Sequence, residues 1–367
     1  MKCVSLKLTN FRNISDVEID FKDKNFLVGE NAQGKTNILE GLYYLSLGKS
    51  FKTSQEQWLL KMGEMSARVE GKFLNSNGEE LKISSVWQNT ETGLIKTLQI
   101  NQNKASKKEF LKQIPSILFT PDEVGLIKTQ SINRRALINN VLIKTQIDYL
   151  DNLASYNKVL KHRNQLLSLI KQSQVGVEEL SSWDEKTAEF GVEVIQARAR
   201  LVVELNKTIN NFWQKLSGEA SELKLNYINQ AGVESFEDYF RKLRDRHVLD
   251  IKITHTSFGP HRDDLEFLID EQNAIPIASQ GQFRLVVLAL KLAKGDHIKN
   301  ILKEAPIYLM DDVFSELDDK KIAYIQDLFE DSQSIFTTTH KNLATNHHAQ
   351  KIFIKDGVVK ELVGHEN

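Results

Sequence analysis

Eight residues, Gly29-Glu30-Asn31-Ala32-Gln33-Gly34-Lys35-Thr36, carry the clearest chemistry in the chain. They fit G-x-x-x-x-G-K-[ST], in which glycines let a loop wrap so that backbone N–H groups point at phosphate oxygens. The lysine reaches the β and γ phosphates, and the hydroxyl ligates Mg²⁺. Such a site needs a carboxylate for its metal. "IYLMDD" supplies Asp311 at the carboxyl end of a four-residue apolar run, with Asp312 placed next to it to orient an attacking water. A second anion-binding feature is Ser279-Gln280-Gly281-Gln282, a small, amide-rich turn that feeds directly into the apolar pattern "FRLVVLALKLA". A polar turn at a helix N-terminus holds anions through its free N–H groups.

The elements around these residues suit them. "NFLVGEN" reads as a buried strand entering the first loop, and "GKTNILEGLYYLSLG" as a helix leaving it, with Gly48 as its cap. "CVSLKLTNF", "VEIDF", "ARVEGKFL", "LKISSVW" and "TLQINQN" alternate as strands do. From about 130 to 247 there is no proline and little strand pattern. Leu150, Leu153, Tyr156, Leu160, Leu167 and Ile170 keep helical spacing, as do Ile195, Val202, Leu205, Ile209, Phe212 and Leu216, with "SQVGVEELSSW" as a bend between them. This pattern predicts a short antiparallel coiled-coil hairpin, or else two core helices of a bundle. After residue 250, "IKITHTSF", "DLEFLID", "APIYLMDD", "SIFTTTH" and "KIFIKDG" read as strands that alternate with helices at 283–303 and 318–330, the rhythm of a parallel α/β sheet. The two ends of the chain are expected to form one domain, with the helical middle inserted into it.

Composition sets the frame. At 367 residues, 41% apolar and 26% charged, the chain is an ordinary globular protein with room for two domains. A net charge of −1 neither favours nor excludes nucleic acid, so a basic surface must be argued locally. The single cysteine, Cys3, excludes an internal disulfide and points to a reducing compartment. "MKCVSLKLTNF" has no apolar signal core, and "LVVLALKLA" is too short to span a bilayer, so a cytoplasmic protein with no membrane role is expected.

Taken in order, the loop at 29–36, the 279–282 turn, the Asp311-Asp312 pair, "SELD" at 315–318 and His340 after a strand resemble the heads of ABC-type ATPases, including the SMC family. "LTNFRN", "GPHRDDL" at 259–265, "SQGQFR" and "MDDVFSELD" narrow the resemblance to the RecF family over essentially the whole chain. It implies an α/β fold, an ABC-type P-loop ATPase head with a mixed β-sheet, built from 1–129 and 250–367 with an α-helical arm at 130–249. ATP and Mg²⁺ are the implied cofactors. Lys35 and Thr36 would bind phosphate and metal, Asp311 the metal, and Asp312 would polarise water. Ser279 and Gly281 would cap the γ-phosphate of a second subunit, which explains two phosphate sites on one chain. Asp318 would span the dimer seam and His340 would sense the γ-phosphate.

The resemblance further implies an ATP-dependent homodimer, weak ATP hydrolysis and binding to single- and double-stranded DNA at gap junctions. The partners implied are RecR, RecO and RecA, in gap repair, replication maintenance and SOS induction. The alternative is the ATPase subunit of another SMC-like or ABC-type assembly, although a compact transporter subunit would not place Ser279 so far from Lys35. Asp312 departs from the glutamate of most ABC heads by one methylene, which fits slow turnover. No residue of "LFTPDEVGLIK" is assigned as the glutamine loop. Arg12 is a candidate phosphate contact or a surface arginine. "HRDDL" lacks the later residues of a kinase catalytic loop, so His261 is read as structural or as part of a nucleotide-linked surface. The "RR" at 134–135 matches a family feature without a physical role. Candidate DNA contacts are Lys104, Lys107 and Lys108; Lys158, Lys161 and Arg163; and above all Arg241, Lys242, Arg244 and Arg246, each set otherwise a solvated face.

Overall fold

The computed structural model describes residues 1–314, 319–329, 331–339 and 349–363. The chain divides into two compact units, Met1–Val124 with Val287–Asn367, and Gly125–Val286. Among the described residues no helix is long and apolar enough to cross a membrane.

The first unit contains two six-stranded sheets. One is antiparallel throughout, in the order Ile14–Asp20, Lys2–Phe11, Ser66–Leu74, Glu80–Thr90, Gly93–Ile100, Asn103–Lys104. The other runs Val358–Val363, Gln350–Lys355, Lys24–Val28, Ser334–Thr338, Ile307–Met310, Ser116–Phe119. Its last five strands are parallel, and only the first is antiparallel to its neighbour. The helix Lys35–Leu47 is buried along almost its whole length, and its side chains share one core cluster with residues of both sheets. Past its polar first turn the helix is mostly apolar, and the buried Glu40 is paired with Arg12, so it suits such an interior. Gly41 permits the close approach, because a Cβ there would lie 2.7 Å from Leu8. Gly48 ends the helix at φ 59° and donates to Tyr44 O at 2.8 Å.

The second unit is mainly helical. Tyr149–Lys171 and Ser181–Asn206 pack antiparallel, since Arg163 meets Asp184 while Tyr149 meets Arg198. The second helix stops at Asn206, and a separate helix, Ile209–Ser217, follows. That break shifts the phase, so Trp213 is fully buried where the apolar spacing pointed to Phe212. The middle also contains a strand, Leu223–Ile228, which pairs antiparallel with Asp264–Ile269. This pairing keeps 250–286 with the helical unit, so the observed divisions fall at 124/125 and 286/287 in place of 129/130 and 249/250. The outer edge of Leu223–Ile228 is covered: Asn206 bonds both Leu225 N and Leu225 O (2.8 and 2.9 Å), and Asn210 accepts from Leu223 N at 2.9 Å.

One predicted strand is a helix. His247–Ile253 contains the start of "IKITHTSF". Its Asp250 turns inward to a buried arginine, and Ile251 packs on Leu167, Ile170 and Leu180. These tertiary contacts override a short local alternation.

Candidate active site

The nucleotide-site candidates of the first unit converge. The parallel strand Lys24–Val28 ends at the glycine loop, and the helix begins at Lys35. Gly29 lies so close to the neighbouring strand that a Cβ would meet Ile354 O at 2.4 Å, and Gly34 takes φ 107°, a conformation that side chains avoid. The loop is tied from outside. Gln33 accepts from Asp356 N at 2.5 Å through its side chain and from Gly357 N at 2.9 Å through its carbonyl. Lys35 Nζ donates to Gly29 O and Glu30 O at 2.6 and 2.7 Å.

Asp311 follows Met310 on the adjacent strand pair. Its Oδ1 accepts from Thr36 Oγ1 at 2.9 Å and from Thr337 Oγ1 at 2.7 Å. Asp312 takes φ 45°, in the left-handed region, and its N–H donates to Thr337 Oγ1 at 2.9 Å. These groups line a cleft of about 600 Å³ whose walls also include Asn31, Ala32, Gln33, Gly34, Asn37, Lys52, Pro121, Asp122 and Thr339. Burial pushes the Lys35 ammonium below its usual range, while Asp311 and Asp312 pull it back. Burial likewise raises the Asp311 carboxyl against the two threonine hydroxyls and Lys52, which lower it. The Thr36 hydroxyl and Asp311 carboxylate are hard oxygen donors of the kind that, with substrate phosphates and water, suit Mg²⁺.

Several cleft residues were not found in the sequence. Asn37 directly follows the motif, but Lys52, Asp122, Thr337 and Thr339 belong to no spacing rule. Pro121 and Asp122 come from the stretch in which no glutamine-loop residue was identifiable. Arg12 is not among the cleft-lining residues. It forms a bidentate pair with the fully buried Glu40 (2.9 and 2.5 Å) and donates to Trp58 O at 2.8 Å. Asp318 and His340 lie outside the described residues.

In the second unit, Ser279 caps the helix Gln280–Leu302: its Oγ accepts from Gln282 N at 3.1 Å. Ser279, Gln280 and Gly281 are exposed, Gln282 is half-buried, and a Cβ on Gly281 would meet nothing within 4 Å. Lys128 fastens the turn by donating to Ala278 O at 3.1 Å. The start of this 23-residue helix is thus accessible, with Gln282 N taken by Ser279 Oγ and Phe283 N by Ser279 O at 2.9 Å.

The basic candidates separate by placement. Arg241, Arg244 and Arg246 are exposed at the helix Phe236–Asp245, with Arg241 paired to Asp238 and Arg244 stacked on Phe240. Lys242 instead turns to Ala231 O and the Phe258 ring. Lys104, Lys107, Lys158 and Lys161 are exposed and Lys108 half-buried. Arg163 is no surface residue: it is fully buried between Asp184 and Asp250 at 2.7 and 2.8 Å, so it cannot reach DNA. His261 is structural, bonded to Tyr156 OH at 2.7 Å and Thr256 O at 3.2 Å. The arginine pair also has a role. Arg134 grips Asp264 with two bonds of 2.7 Å, and Arg135 donates to Asp263 O at 2.7 Å, so both hold the "HRDDL" segment.

Comparison with known proteins agrees with this geometry. The RecF/RecN/SMC N terminal domain matches residues 3–360. The DNA replication and repair protein RecF of Agathobacter rectalis is 35% identical over 337 residues, 91% of this chain and 91% of its own. That of Caldanaerobacter subterraneus subsp. tengcongensis is 34% identical over 359 residues, 95% of this chain and 97% of its own. Among solved structures, the recombination mediator protein RecF determined as RecF-ATP superposes with a TM-score of 0.90 at 32% identity, covering 98% of this chain and 97% of its own. The Smc head domain of Pyrococcus furiosus shares the fold at a TM-score of 0.58 and 20% identity, over 98% of this chain and 95% of its own. An ABC-type ATPase head with its phosphate loop and aspartate pair in place, matched along nearly its full length, makes this chain a member of the RecF family of DNA replication and repair proteins.

Proposed function

We propose that the protein is an ATP-switched DNA clamp of recombinational gap repair. The observation that carries this reading is the convergence of Lys35, Thr36, Asp311 and Asp312 on one cleft, while the Ser279 turn stands exposed at the start of a long helix, a place suited to an anion. Lys35 and the loop amides bind the triphosphate. Thr36 and Asp311 are the residues that would hold Mg²⁺, which would supply charge neutralisation at the phosphates. Asp312 orients water, and its short side chain suits weak ATPase activity. The Ser279–Gly281 turn caps the nucleotide held by a second copy, so ATP closes a two-fold dimer in which each loop faces the partner's turn.

Closure aligns exposed basic strips, including Arg241, Arg244 and Arg246, into a groove that binds single-strand/duplex junctions through phosphates. Hydrolysis releases the dimer. RecR and RecO, and through them RecA, are the partners of this reading, in gap repair, replication maintenance and SOS induction.

Sedimentation of wild type and Ser279→Arg, each with and without ATP–Mg²⁺, tests it. Wild type is expected to pass from monomer to dimer with ATP. The variant is expected to bind nucleotide yet stay monomeric. If both behave alike, the turn is only a helix cap and the head-to-tail dimer is abandoned.

A further inference from the structure

Thr337 lies on the strand Ser334–Thr338, beside Ile307–Met310, and is 2% exposed. One hydroxyl there makes two bonds of opposite sense. It donates to Asp311 Oδ1 at 2.7 Å and accepts the N–H of Asp312 at 2.9 Å. Thr36 donates to the same Asp311 oxygen at 2.9 Å. Two hydroxyls on one carboxylate oxygen fix the rotation of that carboxylate and leave Oδ2 outside this pair of bonds. The second bond holds Asp312 in the left-handed conformation at φ 45°, which a non-glycine residue keeps only when its surroundings impose it. Thr337 is therefore joined to both acids of the cleft at once.

We infer that Thr337 is the positioning residue of this site, setting the direction of the metal-holding Asp311 and of the water-orienting Asp312 through a single hydroxyl. The inference rests on the ATP–Mg²⁺ reading of the cleft. Supports behind a metal ligand fix its orientation, and their loss typically lowers metal affinity or activity about 10–100-fold. The two linked acids make the effect specific: Thr337 governs what depends on metal and water, whereas the loop amides and Lys35 govern the grip on phosphate.

The test compares Thr337→Val, which keeps the shape and removes the hydroxyl, with Thr337→Ser, which keeps the hydroxyl. Equilibrium binding of a fluorescent ATP analogue to the full chain is measured in EDTA and across a Mg²⁺ titration, together with Tm and single-turnover hydrolysis. The valine variant is expected to need about 10–100-fold more Mg²⁺ and to hydrolyse more slowly by a similar factor, with its Mg²⁺-free affinity retained. The serine variant should restore both. Parallel loss of Mg²⁺-free and Mg²⁺-dependent binding, in step with a lower Tm, overturns the inference, as does a valine variant equal to wild type. Thr337→Ala makes the same cut without the added methyl and serves if the valine variant does not fold. Lys35→Ala, run alongside, separates the two readings. Its loss of binding in both conditions upholds the nucleotide site, and wild-type binding by it removes that site and the role of Thr337 together.

Discussion

Arg163 Nε lies 2.7 Å from Asp184 Oδ1, with both side chains fully buried. Asp250 completes the site at 2.8 Å, and Thr256 accepts a further bond at 2.7 Å. One guanidinium therefore serves two buried carboxylates; Asp184 Oδ2 also meets His247 Nε2 at 2.6 Å, and Asp250 Oδ1 accepts from Ser257 N at 3.0 Å. Arg163→Met takes the shared cation away from both carboxylates, and the expected loss of stability is about 3–5 kcal/mol. Urea unfolding of the variant measures it; a loss below about 1 kcal/mol would mean that water reaches the network.

His261 provides a pH signature. Burial pushes its imidazole down to about 4, whereas an unfolded histidine titrates near 6.5. Between these values the unfolded chain binds the proton and the folded chain does not, so stability is lost as pH falls through this window. The share due to His261 is about 3 kcal/mol. Urea midpoints of wild type should fall more steeply from pH 6.5 to pH 4 than those of His261→Gln; equal slopes refute the buried, neutral imidazole.

Gly29 and Gly281 make a contrasting pair. A Cβ at Gly29 meets a backbone oxygen at 2.4 Å, whereas one at Gly281 meets open space. Gly29→Ala should cost about 1–3 kcal/mol and lower nucleotide affinity by displacing the loop. Gly281→Ala should leave Tm within about a degree or two, since substitutions of this kind fall within about 0.5 kcal/mol. Thermal melts and nucleotide titrations of both variants decide this.

The DNA strip is tested by Arg241→Glu with Arg244→Glu. Both residues are exposed, so the fold should tolerate the change. DNA affinity at about 50 mM salt is expected to fall on the order of tenfold, and the slope of log K against log salt to flatten by about two. ATP binding should persist. Unchanged DNA affinity removes this helix from the groove.

The parts of the site that could be read in the sequence are those in which neighbours along the chain line the cleft together. Gly29 to Thr36 act as one loop, and Asp311-Asp312 end one buried strand, so spacing alone identified them. Thr337, Lys52 and Asp122 reach the same cleft from separate segments, and no local pattern records that convergence. Arg163 shows the converse. A lysine- and arginine-rich helix face reads as solvated until Asp184 and Asp250, 21 and 87 residues away, are brought against it. Arg134 and Arg135 had no assignable role because their partners, Asp263 and Asp264, lie about 130 residues on. The strand pattern of "IKITHTSF" failed for the same reason, since Asp250 is drawn inward by a residue from another helix.

The asparagine side chains along Leu223–Ile228 have a consequence for assembly. By occupying the amide and carbonyl of Leu225 and the amide of Leu223, Asn206 and Asn210 leave this margin with few backbone groups to offer a foreign strand. The helical unit can meet other molecules through side chains, where charge and shape select the partner, and is guarded along this stretch against the indiscriminate strand-to-strand zippering that turns an open sheet into a nucleus for fibrils.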